Sequence, residues 1–98
     1  MLDTLEISDF EPYLNQTIYL SFGDLVRFPT TLVQVRKVVN HSPLTRDPFA
    51  IVVRSEQKTQ YYEQTTFTLE HPDKGNLDVF FVPVGFDGEG VLYEAIFS

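Results

Sequence analysis

The residues of this sequence from which chemistry could be assembled are two histidines, a serine beside one of them, and a few carboxylates that sit close together. His71 stands between Glu70 and Pro72 with Asp73 following, a spacing that could set an imidazole base against a carboxylate. His41 and Asp47 bracket a loop that contains Ser42, but a nucleophile needs a positioned base and a group to orient that base. Nothing here resembles GxSxG or another nucleophile-carrying motif. In FDGEG, residues 86–90, Asp87 and Glu89 lie between glycines and suggest calcium, yet the stretch is far too short for the ligand spacing of an EF-hand loop. HExxH, GxGxxG and the phosphate-loop motif are absent. With no cysteine in the chain, thiolate nucleophiles, disulfides and zinc–thiolate sites fall away together. The expectation is a protein that is not an enzyme, with no catalytic, cofactor-binding or metal-ligating residue assigned and no cofactor.

The bland readings of these residues are turn readings. His71 reads as a strand-end histidine entering the turn HPDKGN, where Pro72 ends the strand, Asp73 starts the turn through its side chain and Gly75 supplies a left-handed position. FDGEG reads as a five-residue turn with glycine taking positive φ. Two other places look more like contact surfaces. Tyr61 and Tyr62 sit together in a polar loop, where a tyrosine pair either meets a protein or glycan or packs over the end of the fold. In LDVFFVPV, residues 77–84, both parities are apolar. Leu77, Val79 and Phe81 share one face, while Phe80, Val82 and Val84 share the other. A strand apolar on both faces is covered on both, so Phe80 and Val82 are expected to meet either the N-terminal turn, through Phe10 and Leu14, or another copy of the chain.

The elements that must hold these residues are strands. TIYLSF alternates, with Ile18, Leu20 and Phe22 on one side. TTLVQVRKVV is a second strand over about 30–39, with a bulge expected near Arg36 and Lys37 to keep Lys37 out of the apolar face. FAIVVR turns Phe49, Ile51 and Val53 one way. TTFTLE and LDVFFVPV follow as a hairpin, with Phe67 and Leu69 inward, and VLYEAIF closes the chain. Pro83 cannot donate to a ladder, so it marks a bulge or a stop in a strand that is otherwise central over Val79–Val82. Ahead of them, SDFEPYL reads as a short helical turn capped by Ser8, with Glu11 three residues on. About six short strands with brief connections predict a single all-β domain over 1–98: a small, mostly antiparallel barrel or sandwich with a short N-terminal helical turn. No internal repeat is visible.

Charge is arranged in blocks. Residues 1–26 carry five acids and no base, 27–58 carry six bases against Asp47 and Glu56, and the last 40 residues carry seven acids against Lys74. Either adjacent strands face one another with opposite charges, or the molecule has a basic and an acidic face suited to head-to-tail assembly. The net charge of -7 disfavours nucleic acid as a partner. Neither a signal peptide nor an apolar run of membrane-spanning length is present, so the expected location is cytoplasmic, with no membrane partner. A protein partner or self-association is the expectation that remains.

DFEPYLNQT near the start, TFTLEHPDKGNLDVFFVPVG, and GFDGEGVLYEAIF at the end together resemble a family of small bacterial proteins classed as a domain of unknown function, DUF6916. The order LEHP, FFVPVG, YEA carries the likeness, and residues 23–60 add nothing distinctive to it. Thr65-Thr66 departs from the usual glycine before the third hairpin's aromatic, and Phe86 stands where proline is common. The resemblance brings no functional residue with it. It implies an accessory or structural role in a larger, phage-tail-like assembly.

Overall fold

A computed structural model of the chain describes residues 5–22, 26–38, 48–56 and 63–97. These form two consecutive 3-10 turns, Ile7–Asp9 and Glu11–Tyr13, and then six strands: β1 (Thr17–Phe22), β2 (Val26–Lys37), β3 (Phe49–Ser55), β4 (Thr65–His71), β5 (Gly75–Phe86) and β6 (Val91–Phe97). Every pairing is antiparallel, and the strands close into a barrel in the order β1-β2-β3-β6-β5-β4. Two three-stranded meanders, β1–β3 and β4–β6, are therefore laid against each other. They meet along β3–β6, with seven residue pairs, and along β1–β4, with two.

The barrel is also a sandwich, because the middle strand of each meander is 12 residues long and changes partner along its length. β2 pairs with β1 over Val26–Thr31 and with β3 over Thr30–Lys37. β5 pairs with β4 over Gly75–Phe81 and with β6 over Val82–Phe86. Strands that turn a corner between two sheets do so through bulges, and each bulge lies just past the handover. In β2 it falls at Val33, between Leu32 and Gln34, and in β5 at Val84, between Pro83 and Gly85. The bulge expected near Arg36 and Lys37 is thus displaced to Val33. The reason is geometric: Leu32 belongs to the inward row before the corner and Val35 after it, so the extra residue must lie between them. The expectation that β5 is central over Val79–Val82 also fails, since at the handover it exchanges one neighbour for another. Pro29 is tolerated in β2 because, among the described residues, that part of the strand has β1 as its sole partner, as an edge strand would.

Alternation decides what fills the barrel. Ile18, Leu20, Ile51, Val53, Phe67, Leu69, Val79 and Phe81 point inward and are buried, on the parity read from the sequence, together with Tyr93 of β6. Five phenylalanines and a tyrosine dominate this core. Phe49 and Phe97 stack with their centroids 4.8 Å apart, and Phe67 meets Phe81 and Tyr93 edge-on.

The N-terminal turns close one end of the barrel. Phe10 is 0% exposed and lies 5.9 Å from Phe49 and 5.5 Å from Phe97, ring to ring. Ser8 does not cap the segment. Glu6 does, its backbone N–H donating to the Asp9 carboxylate at 2.8 Å. Pro12 sits inside the second turn, and Asn15, with φ of 70°, ends it in the left-handed region. Its N–H then donates to the Leu32 carbonyl, which leads the chain into the β1–β2 ladder.

The charge blocks are explained by this layout. Arg27 of β2 reaches across β1 to Glu70 of β4, at 2.8 Å, and its guanidinium lies 3.8 Å from the centre of the Tyr19 ring on the way. Arg36 reaches across β3 to Glu94 of β6, at 2.6 Å, over the buried outward residues Ala50 and Val52. Arg54 holds Asp87 at 2.5 Å. In each pair the base lies on the first meander and the acid on the second. The alternative of a free basic face is not what Arg27, Arg36 and Arg54 form.

Candidate functional site

His71 is built into the fold. It is 4% exposed, and both ring nitrogens are engaged. The backbone N–H groups of Asp73 and Lys74 donate to Nδ1 at 3.0 and 3.1 Å. The hydrogen therefore lies on Nε2, which donates to the Asp9 carbonyl at 2.6 Å. Phe10 and Tyr13 meet the ring edge-on at 5.2 and 5.3 Å. Around it Lys74 faces Asp9 at 3.6 Å, and the Tyr13 hydroxyl donates to the Asp73 carboxylate, which raises the tyrosine's pKa. The turn after β4 is thus organised by the histidine ring, not by the Asp73 side chain as the sequence suggested. Gly75 takes the left-handed position, φ 78°, as expected. HPDKG is the receptor for the N-terminal turns.

The carboxylates of FDGEG are also in use. Asp87 Oδ1 accepts from the N–H groups of Glu89 and Gly90 at 3.0 and 3.1 Å, while Oδ2 takes Arg54. The Arg54 guanidinium, with those backbone donors behind it, holds Asp87 below the usual carboxylate range. Arg27 does the same for Glu70. Gly88 supplies the positive φ, at 90°, and Gly90 lies so close to the Ser55 carbonyl that a Cβ there would fall 1.6 Å from the oxygen. Among the described residues no group of three or more histidines, aspartates or glutamates is placed to share a metal ion.

The remaining feature is apolar. Below Val82 and Glu94 the β5–β6 ladder stops, so among the described residues Val79–Phe81 pair with β4 alone and Ala95–Phe97 with β3 alone. Between them lies a cleft of about 340 Å³, with the inward residues Val79 and Phe97 at its base and Phe80, Val82, Glu94 and Ile96 around it. Phe80 is 53% and Ile96 58% exposed, and Val82 is half-buried. The N-terminal turns do not cover this face, contrary to one expectation from the sequence. Phe10 is drawn into the barrel end instead, and Leu14 stays exposed.

Of the residues singled out as contacts, Phe80 and Val82 are brought together here, while Tyr61 and Tyr62 lie outside the described residues, as do His41, Ser42 and Asp47. Ile96 and Glu94 were missed. The signal for Ile96 was an apolar residue on the outward parity of β6, in line with Leu92 and Glu94.

The family model described as Domain of unknown function (DUF6916) matches residues 5–97. The chain belongs to this family. The matched span covers both N-terminal turns and all six strands, so the barrel described above is that of a DUF6916 domain. No curated protein and no solved structure matches the chain. Among the described residues of this DUF6916 member, no helix is long and apolar enough to cross a membrane.

Proposed function

We propose that this DUF6916 protein is a non-catalytic structural or accessory component of a larger assembly, acting in the cytoplasm and presenting the outer face of β5 and β6 to a protein partner. The observation that carries the reading is the apolar group of exposed Phe80 and Ile96 with half-buried Val82, gathered around one cleft. Grouped apolar residues rimmed by polar ones are a mark of association sites, whereas scattered ones are not. His71 and Asp87, the residues best suited to chemistry, support the non-catalytic part, because their polar atoms are bound to the backbone and to Arg54. The acidic balance of the chain argues against a nucleic acid. A phage-tail-like assembly is one setting that the family resemblance suggests.

A photoreactive amino acid placed at position 80 or 96, and at the exposed position 11 on the N-terminal turn as a control, tests this in the organism that makes the protein. Cross-linking to one discrete protein from 80 and 96, and not from 11, is the expected outcome. Equal labelling from all three positions would sink the proposal.

A further inference from the structure

We infer that the β5–β6 cleft takes a single extended, basic segment of the partner, which pairs as an added strand with the free edge of β5. The inference rests on the docking reading above and goes further, to the chemistry and conformation of what docks.

Three observations lead to it. The first is the backbone. Where the ladder ends, two strand edges face a common gap without pairing to each other, Val79–Phe81 on one side and Ala95–Phe97 on the other. A strand edge is a template for another strand, and peptide recognition by strand addition draws affinity from main-chain hydrogen bonds and specificity from alternate side chains. The second is size. Phe80, Val82 and Ile96, each about half exposed or less, present on the order of 300 Å² of apolar surface. A stable dimer of folded domains buries about 800 Å² from each partner, somewhat more than half of it apolar, so these three side chains alone fall short of what a second copy docked face to face would need. One extended segment of four or five residues, at about 3.4 Å per residue, spans it. The third is charge. Asp78 is exposed two residues before Phe80 on the same outward row, while Glu94 on the cleft wall is already paired with Arg36, so Asp78 and the net charge of the chain carry the preference. Arg36, which faces Glu94, comes from the far side of β3. With a chain charge of -7, a segment alternating apolar with lysine or arginine is favoured over a neutral or acidic one, and a second copy of this chain is disfavoured.

The test uses the intact protein and three blocked eight-residue peptides. The first alternates valine and lysine. The second has the same sequence with every other backbone nitrogen methylated, so that one edge cannot donate. The third has glutamate in place of lysine. Amide hydrogen exchange and backbone chemical shifts are followed by NMR during titration. Expected are saturable shifts and slowed exchange confined to Asp78–Phe81 and Ala95–Phe97 with the first peptide, and at least tenfold weaker binding of the other two. Phe80→Ser, which removes the apolar contact without adding a charge and leaves the inward rows untouched, should reduce binding of the first peptide by at least tenfold. Equal binding of the methylated peptide would overturn strand pairing, and equal binding of the glutamate peptide would overturn the charge preference. No shift at either edge would overturn the site for a strand. Site-specific cross-linking from positions 80 and 96 would then still stand, which separates the failure of this inference from the failure of the docking proposal.

Discussion

At the scale of single residues, the chemistry-bearing side chains of this protein are structural. His71 accepts from two backbone N–H groups and donates to a carbonyl 62 residues away in sequence, work that a ring of the same shape without nitrogens cannot do. His71→Phe keeps the ring contacts with Phe10 and Tyr13 and should still cost about 2–3 kcal/mol, since each hydrogen bond contributes about 1 kcal/mol. Urea unfolding followed by circular dichroism would show this. A catalytic histidine would instead leave stability unchanged. Asp87 makes a pH-dependent prediction. Its pKa is depressed in the folded state, first by the hydrogen bond from Arg54 and then by the Glu89 N–H. A group of this kind contributes stability that is complete above the unfolded-state value, about 3.9, and is lost as pH falls through the lower folded value. The stability difference between wild type and Arg54→Met should therefore be constant from neutral pH down to about 5 and shrink below about 4. A difference that stays constant to the acid limit would mean that the pair contributes nothing through its charge.

At the scale of elements, what was legible in the sequence followed from period-two alternation. Ile18 and Leu20, Ile51 and Val53, Phe67 and Leu69, and Val79 and Phe81 each announced the inward face of a strand, and all are in the core. What was not legible came from the corners. Whether β2 bulges at Val33 or near Arg36 depends on where its neighbour changes from β1 to β3, a property of the closed sheet that no local window of residues contains. The N-terminal turns misled for a related reason. Phe10, Tyr13 and Leu14 look like one apolar face, but in 3-10 geometry, broken by Pro12 and ended by Asn15, Phe10 is fully buried, Tyr13 packs half-buried against the core and Leu14 stays exposed. The cleft was half legible: LDVFFVPV showed a second apolar face, and only the register of β5 against β6 showed that it opens. Because Phe10 stoppers the end near Phe49, Phe97 and His71, Phe10→Ala should cost about 3–5 kcal/mol, far more than Leu14→Ala on the exposed side. Thermal denaturation of the two variants checks the ranking, and a Leu14→Ala loss as large as that of Phe10→Ala would contradict the assigned roles.

At the scale of the whole molecule, the layout of two meanders has an electrical counterpart. The stretch from β1 through β3, residues 17–55, holds five bases against two acids, net +3, and the stretch from β4 through β6, residues 65–97, holds one base against six acids, net -5. The ion pairs Arg27–Glu70 and Arg36–Glu94 cross the two seams, and Arg54–Asp87 joins the same halves. Neither half can bury its inward row without the other, because each meander supplies one wall of a shared core. The chain is in effect a covalent heterodimer whose two subunits are tied by ion pairs. Severed in the segment that joins β3 to β4 and produced as two polypeptides, it should reassemble spontaneously into the intact barrel; with the acids of residues 1–16 included, a cut after residue 58 leaves net charges of -1 and -6, so the association rate should not fall as salt is added. Stopped-flow mixing of the two polypeptides at low and high ionic strength would measure this, and a rate that falls steeply with salt would show that the facing charges of the two sheets steer the encounter. Such a split pair would report, through the recovery of its own fold, on the proximity of any two proteins to which the halves were fused.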